Sequence, residues 1–247
     1  LSRFESLEMS VSVACIGSSK IRRLKRFLVI ATGVTKYPAF SFLPIGMICS
    51  HKVCVLADER YSMFGLVSSD IHSIWAWQNK TSMGGDLSSM VYAHGNIFET
   101  FPFPKGFFSG VKYDDLEEIG KRLLDRREFV MKSEMIGLTK FYNRFHDRNE
   151  SSSLFEDCRE IQAELNSAVI AVYGFDDINL DTGFHNASYL PSGKNLRYTI
   201  SEAAREEILY RLAILNKERY EAESASVASI NKAKKGAKEK VGQGSLF

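Results

Sequence analysis

Residues 61–78, YSMFGLVSSDIHSIWAWQ, divide the chain into two parts of different character. Apolar side chains recur there at mostly helical spacing, which predicts one helix that ends near Gln78. Upstream, residues 27–34 and 39–45 are rich in Val, Ile and Phe between Gly, Pro and Lys, which is typical of strands, and residues 52–57 read as a third strand. The first hundred residues are therefore predicted to be mixed α/β.

Downstream of this helix the sequence turns first to loops and then to helices. Gly84 and Gly85 mark a loop at residues 81–86, residues 90–92 read as a short strand, and two prolines end regular structure at residues 101–104. Four further helices are predicted: three over residues 114–135, 138–145 and 153–173, and a last one opened by residues 199–202 that reaches about residue 223. Ser153 and Glu156 read as a capping box for the third of these, and Gly174 as its stop.

The predicted fold class is α+β: an N-terminal mixed α/β domain, a C-terminal helical region and a loose basic tail. The predicted bounds are 1–104 and 105–223 for the two parts and 224–247 for the tail, where apolar periodicity ends. A composition of 45% hydrophobic and 25% charged residues excludes a wholly disordered chain. No run approaches the roughly 20 apolar residues that span a bilayer, so we expect a soluble, cytoplasmic protein. Because the chain begins at Leu1, a processed product and a fragment of a longer protein are both open.

The net charge of +2 conceals an uneven distribution. Residues 1–40 carry seven Lys/Arg and two acids, residues 41–223 carry 20 and 27, and residues 224–247 carry five and one. A basic end on an acidic body fits nucleic-acid contact through one patch. The residues from Lys20 to Arg26 fit the solvated face of a helix equally well. Charge alone leaves both interpretations open.

Common enzyme signatures are missing from the sequence. It contains no GxGxxG, GxxxxGK[ST], HExxH or GxSxG motif, no adjacent prolines and no acid-x-Lys element. Cys49, His51 and Cys54 lie close together, but a structural zinc site needs four ligands and no second pair follows, so no metal site is predicted. No catalytic residue is assigned in this chain.

Two further features favour packing over chemistry. His72 shares a helical face with Trp75, so a packed or hydrogen-bonded role is favoured over general-base catalysis. Met90, Phe98, Phe101 and Phe103 could stack on nucleic-acid bases, but a core cluster is favoured because aromatic side chains dominate cores by buried area.

Several segments in order carry a resemblance to a known family. The segments are 66–75 and 96–104, then 137–143, 159–171, 173–175, 197–199 and 215–220. Together they resemble the target-recognition region and following helices of type IIG and type IIL restriction–modification DNA methyltransferases, which are bacterial enzymes with phage-defence relatives. The resemblance extends over roughly residues 26 to 223.

The resemblance implies a function for the chain. In that family an upstream domain binds S-adenosylmethionine and methylates adenine in double-stranded DNA, and many members also carry a nuclease domain. The chain would then be a C-terminal fragment that selects the DNA sequence, with the cofactor and catalytic motifs elsewhere in the parent. Its partners would be double-stranded DNA and the upstream methyltransferase domain of the same polypeptide. The alternative is a non-catalytic specificity subunit that binds a separate methyltransferase or the sliding clamp.

The resemblance also places candidate DNA-binding residues before the Phe101–Pro104 motif, which is itself assigned a structural role. The candidates for base contact are Thr35, Lys36, Tyr37, Lys80, Thr81, Ser82, Asp86, Ser88, Ser89, Tyr92 and His94. The candidates for phosphate contact are Lys20, Arg22, Arg23, Lys25 and Arg26. Relatives often have an Arg-Tyr pair where this chain has Val91-Tyr92, so Val91 would touch a thymine methyl group or only pack.

The last five residues resemble a docking peptide. Gln243-Gly-Ser-Leu-Phe247 looks like the Gln-x-x-Leu-Phe peptides that bind the bacterial sliding clamp. Gln243, Leu246 and Phe247 would make that contact.

Overall fold

A computed structural model describes residues 23–81 and 87–242 of the chain. The strands are β1 (Arg26–Ala31), β2 (Val34–Thr35), β3 (Ser41–Pro44), β4 (Val53–Leu56), β5 (Met90–Val91), β6 (Gly183–Asn186) and β7 (Leu196–Thr199). The helices are α1 (Tyr61–Ser68), α2 (Asp70–Gln78), α3 (His94–Ile97), α4 (Asp114–Ser133), α5 (Leu138–Phe145), α6 (Ser153–Tyr173) and α7 (Glu202–Gly242). The predicted α+β class is confirmed.

Strand β1 is the centre of a small antiparallel sheet of order β3-β1-β4. Because side chains alternate across a strand, β1 serves two clusters. Leu28 and Ile30 face the main core, whereas Phe27 and Val29 pack with Val55 on the other face. Burial on both faces explains why the strand reads as one continuous apolar run.

The predicted helix over residues 61–78 is two helices, so that prediction is wrong. The chain is extended at Ser69, with φ −73° and ψ 159°, between α1 and α2. The Ser69 hydroxyl donates to the carbonyl oxygen of Leu66 (2.7 Å) and accepts from the His72 N–H (3.3 Å). Ser69 thus ends α1 and caps α2, and this cap outweighs the continuous apolar spacing.

The main core joins both predicted domains. It includes Leu28 of β1, Phe64 of α1, Trp75 of α2, Leu165 of α6 and Leu212 of α7. The aromatic motif at residues 101–104 is buried in this core, where the Phe103 ring lies 5.0 and 5.1 Å from the rings of Phe98 and Phe101. The predicted core role of these aromatic residues is confirmed, while the boundary at residue 104 stays a prediction.

Helices α1 and α4 approach each other through backbone. A Cβ atom added at Gly120 of α4 would lie 2.3 Å from the carbonyl oxygen of Tyr61, and Gly65 of α1 faces the same point. The Glu117 carboxylate accepts the N–H groups of Tyr61 (3.0 Å) and Ser62 (2.7 Å), which are among the unpaired donors at the start of α1. The close approach at Gly120 and the hydrogen bonds to Glu117 together fix α1 against α4.

Arg159 of α6 holds the loop that follows α5. Its guanidinium, on a residue only 6% exposed, donates to four backbone carbonyls, those of Phe145 (3.0 Å), Glu150 (2.6 Å), Arg144 (3.2 Å) and Asp147 (3.0 Å). Carbonyl groups near the end of a helix lack hydrogen-bond donors within the helix, and this one buried arginine supplies donors to four of them.

The ends of α6 show one prediction confirmed and one wrong. Gly174 ends the helix in the left-handed conformation, with φ 70°, as predicted. The capping box at Ser153 is wrong because the helix begins at that residue and Ser152 occupies the cap position, without a side-chain capping bond.

Three elements differ from the sequence prediction. The hairpin β6–β7 and the single turn α3 were not predicted, because short strands and turns carry little periodicity. The loose tail predicted from residue 224 is wrong in its secondary structure, since α7 continues to Gly242. That segment is rich in Ala and Lys, which favour a helix by intrinsic propensity without an apolar face. Gln243, Leu246 and Phe247 lie outside the described residues.

Candidate nucleic-acid interface

Strands β2 and β5 form a small antiparallel pair, and most of the predicted base-contacting residues lie in it or close to it in sequence or pairing. Val34 pairs with Val91 and Thr35 with Met90, and Thr81 bridges to Val91 from the other side. We call residues 34–36, 80–81 and 87–94 the recognition corner. Lys36 and Thr81 are exposed there, and His94 is half-buried at the start of α3. Ser82 and Asp86 lie outside the described residues.

The recognition corner also exposes apolar side chains that the sequence did not single out. Val34 is 60% exposed and Leu87 is 59% exposed. These exposed methyl groups and the Thr81 hydroxyl are groups that can read base edges in a DNA groove.

Lys80 positions the corner. Its ammonium group donates to the carbonyl oxygens of Leu87 (2.9 Å) and Ser89 (3.0 Å) and lies 4.4 Å from the centre of a Trp77 ring. Lys80 was predicted to contact bases, but in this arrangement its ammonium group is bound by these two backbone carbonyls and a Trp77 ring.

Three predicted base contacts are corrected because their side chains are buried. Tyr92 is 0% exposed, and its hydroxyl oxygen lies 3.1 Å from Nε2 of His72. Ser88 and Ser89 are buried as well. Alternation continued from β5 directs Tyr92 inward on the same side as Met90, whereas Ser88 and Ser89 lie just before the strand; residue type alone did not reveal their burial. His72 is itself fully buried, which confirms the packed role predicted for it.

Thr35 and Tyr37 act as supports on either side of Lys36. The Thr35 hydroxyl donates to the carbonyl oxygen of Tyr37 (2.8 Å) and accepts the Tyr37 N–H (3.2 Å). The Tyr37 hydroxyl donates to Asn143 Oδ1 (3.0 Å), and its ring stacks on His146 with centres 5.1 Å apart. Their predicted base contacts stay predictions, and these hydrogen bonds hold the turn that presents Lys36 to solvent.

Some of the predicted phosphate contacts are exposed, and one of them is packed against other side chains. Arg23 and Lys25 are exposed, while Lys20 and Arg22 lie outside the described residues. The guanidinium carbon of Arg26 lies 3.8 Å from the ring centre of Phe42 and 3.9 Å from that of Tyr61. The same guanidinium donates twice to the Glu59 carbonyl oxygen, at 3.1 and 2.8 Å. Arg26 is therefore corrected to a structural cation–π residue.

Sequence reasoning missed a longer basic stretch. Residues 23–57, here named the basic segment, contain five Lys/Arg and no Asp or Glu. Two exposed residues of this segment, His51 and Lys52, were not predicted as candidates for DNA contact. Counting charge over a shorter range would have found them. The ranges used, 1–40 and 41–223, include acids at the start of the chain and after residue 57, which mask the excess of positive charge between them.

Comparison with known proteins gave one structural likeness. No protein-family model matches the chain. No curated protein matches it. A solved structure of the type IIL restriction–modification enzyme MmeI in complex with DNA is similar, with a TM-score of 0.48 and 17% sequence identity. The likeness covers 78% of this chain, which spans 22% of that enzyme's chain.

Two other kinds of site were sought in the described residues. Within residues 23–81 and 87–242, no group of three or more His, Cys, Asp or Glu side chains is placed to hold a metal ion, and Cys49, His51 and Cys54 form no such group. In the same residues no helix is both long enough and apolar enough to cross a membrane.

A buried polar joint lies beneath Tyr37. Asp70, at the start of α2, accepts from Nδ2 of Asn166 (2.8 Å), and the Asp70 N–H donates to Oδ1 of the same side chain (2.9 Å). Burial raises the pKa of Asp70 to about 6, against the opposing effect of hydrogen bonds from Asn166 and Thr199. The joint ties the start of α2 to α6 and β7.

Two buried histidines predict a loss of stability in acid. Burial lowers the pKa of His72 to about 3, and burial with the nearby Arg197 and Arg159 lowers the pKa of His146 well below its usual value. The unfolded chain therefore binds protons below about pH 6.5 that the folded chain does not, and the free energy of unfolding falls by up to about 1.4 kcal/mol per pH unit for each histidine. Asp70 has the opposite effect below about pH 6. Because its pKa is raised in the folded chain, the folded chain binds a proton there that the unfolded chain does not, and this offsets the loss of stability from one histidine.

Urea unfolding between about pH 7 and about pH 5 measures this slope. The variant His146→Gln is expected to flatten it, whereas the exposed His51→Gln control leaves it unchanged. Identical slopes for the unmodified protein and both variants would contradict the assignment.

Proposed function

We propose that this chain recognises double-stranded DNA, as the target-recognition and C-terminal region of an adenine-specific restriction–modification DNA methyltransferase. The observation that carries the proposal is the basic segment, whose exposed Lys25, Lys36 and Lys52 stand in a stretch of 35 residues without an acid. The family resemblance of residues 26–223 supports the same function.

The proposed mechanism assigns affinity to the basic segment. Lysine and arginine side chains that neutralise phosphates release condensed counterions, which gives binding that depends steeply on salt and not on sequence. Lys25, Lys36 and Lys52 are the proposed phosphate contacts, joined by Arg23 at the start of the described chain.

Sequence choice is assigned to the recognition corner. The Thr81 hydroxyl can donate to or accept from a base edge, and the exposed Val34 and Leu87 can contact thymine methyl groups. Lys80 and the Thr35–Tyr37 turn hold these groups in place from behind. A rigid support matters because each base contact depends on short, directed interactions.

The chemistry is proposed to reside in the parent protein. S-adenosylmethionine would bind in its upstream domain, and this chain would orient the duplex for methylation. Within the chain, the hydrogen-bonded pair His72–Tyr92 is enclosed in the core, an arrangement that supports a packing role for His72.

Selection of the full chain on a randomised duplex library tests the proposal. We expect enrichment of a defined sequence, with each productive contact giving about 5-fold to about 150-fold discrimination, or about 1–3 kcal/mol. The variant Thr81→Ala with Val34→Ser should relax the preference at individual positions of that sequence. The control Ser153→Ala, at an exposed position on α6, should enrich the unmodified sequence.

Retention of duplexes without enrichment would contradict sequence choice by this chain. A chain that retains no duplex but binds a methyltransferase would contradict the DNA-binding proposal itself and would favour a protein–protein specificity subunit.

A further inference from the structure

The loop between β3 and β4 presents apolar side chains to solvent. Ile48 is 91% exposed, Met47 is 47% exposed and Ile45 is 42% exposed. Scattered apolar residues are common on protein surfaces, but three within four consecutive residues form a continuous apolar tip. We call residues 45–48 the apolar tip.

The apolar tip stands on a defined turn. The Met47 N–H donates to the Pro44 carbonyl oxygen (3.4 Å), and Gly46 has φ +94°, as required at the third residue of a type II turn. The Ile45 N–H donates to the Lys25 carbonyl oxygen (3.2 Å), which fixes one end of the tip beside β1.

The other end of the tip is fixed as well. Cys49 packs on the cluster of Phe27, Val29 and Val55, and the Val53 N–H donates to the Ser50 carbonyl oxygen (3.1 Å). Since both ends are anchored, the apolar side chains are held outward at little further entropic cost.

Basic residues flank the tip in sequence. It lies within the basic segment, between Lys25, whose backbone it contacts, and the exposed His51 and Lys52. A partner that binds this surface must have negatively charged groups for the basic residues and an apolar cavity for the side chains of the tip. Double-stranded DNA offers both, because phosphates flank the base stacks.

We infer that Met47 and Ile48 form a wedge that inserts between base pairs of a bound duplex. Apolar side chains such as Met and Ile used in this way partly unstack a base step from the minor groove and kink the helix. Lys25, whose backbone the tip contacts, would hold a phosphate beside the opened step. This inference rests on the proposed DNA binding and adds deformation of the duplex to it.

Relaxation of a closed circular plasmid tests the wedge without knowledge of the recognised sequence. Topoisomerase I relaxes the plasmid in the presence of the full chain, and the linking number is read after the protein is removed. A side chain that opens base steps unwinds the duplex, so we expect a shift to lower linking number that grows with bound protein. The variant Met47→Ser with Ile48→Ser is expected to lose that shift while it still binds the plasmid through its lysines.

Met135→Ser is the matched control, because Met135 is also 91% exposed but lies after α4, beside Glu134 and outside the basic segment. It should keep the full shift. Equal shifts for the unmodified chain and the tip variant, with equal plasmid binding, would overturn the wedge and leave DNA binding standing. Loss of self-association by the tip variant, with an unchanged shift, would also overturn it and would assign the tip to a protein contact. No plasmid binding by any of the proteins would overturn DNA binding and the wedge together.

Discussion

Replacement of Lys25, Lys36 and Lys52 together by glutamine is expected to weaken binding to a random-sequence duplex by on the order of 100-fold or more at about 0.1 M salt. Each phosphate contact contributes about 0.9 to the slope of log K against log salt, so the slope should fall by about 0.9 per lysine. All three side chains are exposed, and therefore the substitutions should leave the folded structure intact. Fluorescence anisotropy of a labelled duplex measures both quantities.

A second triple variant separates this effect from a general loss of positive charge. Lys121, Lys132 and Lys217 are equally exposed, but each lies within 4.0 Å of an acid four residues further along or back on its helix. Their replacement by glutamine removes the same formal charge and should change affinity far less. Equal losses from the two triple variants would contradict a role for the basic segment.

Gly120→Ala is expected to lower the free energy of unfolding by about 2 kcal/mol or more. The new methyl group would lie 2.3 Å from the Tyr61 carbonyl oxygen and 3.0 Å from its carbonyl carbon. Backbone atoms cannot rotate away, so α1 must move off α4 and strain its contact with the Glu117 carboxylate. The gain in helix propensity, about 1 kcal/mol, offsets only part of this loss.

Gly33→Ala is the matched control for that measurement. A Cβ atom at Gly33 would meet nothing within 4 Å, so its free energy of unfolding should stay within about 0.5 kcal/mol of the unmodified value. Urea unfolding of the two variants decides the question. A Gly120→Ala protein as stable as the unmodified one would contradict the prediction, since α1 and α4 could then move apart without a loss in the free energy of unfolding.

Periodicity predicted the long elements well. The helices near residues 114–135, 138–145 and 153–173 appear as α4, α5 and α6 within two residues at each end, because each combines an apolar stripe with a clear stop. The break at Ser69 was missed, since a hydroxyl cap leaves the spacing of apolar residues unchanged. The end of α7 was missed because helix propensity without an apolar face gives no periodic signal.

The candidate site was predicted less completely than the fold. The family resemblance named Lys36 and Thr81 as candidates in two separate segments, and the structure exposes both and brings the segments together through β2 and β5. Local sequence could not show that Tyr92 turns inward to His72 or that Arg26 lies between two aromatic rings. Those outcomes depend on strand register and on partners more than 15 residues away, which a local pattern does not contain.

The most direct test of the central claim is the titration of the full chain against a labelled random-sequence duplex between about 50 mM and about 200 mM salt. The proposed function predicts measurable binding at the low end and a straight decline of log K with log salt whose slope exceeds about 3, one increment for each proposed lysine contact and for Arg23. No binding at about 50 mM salt, or an affinity that salt does not change, would contradict DNA recognition by this chain.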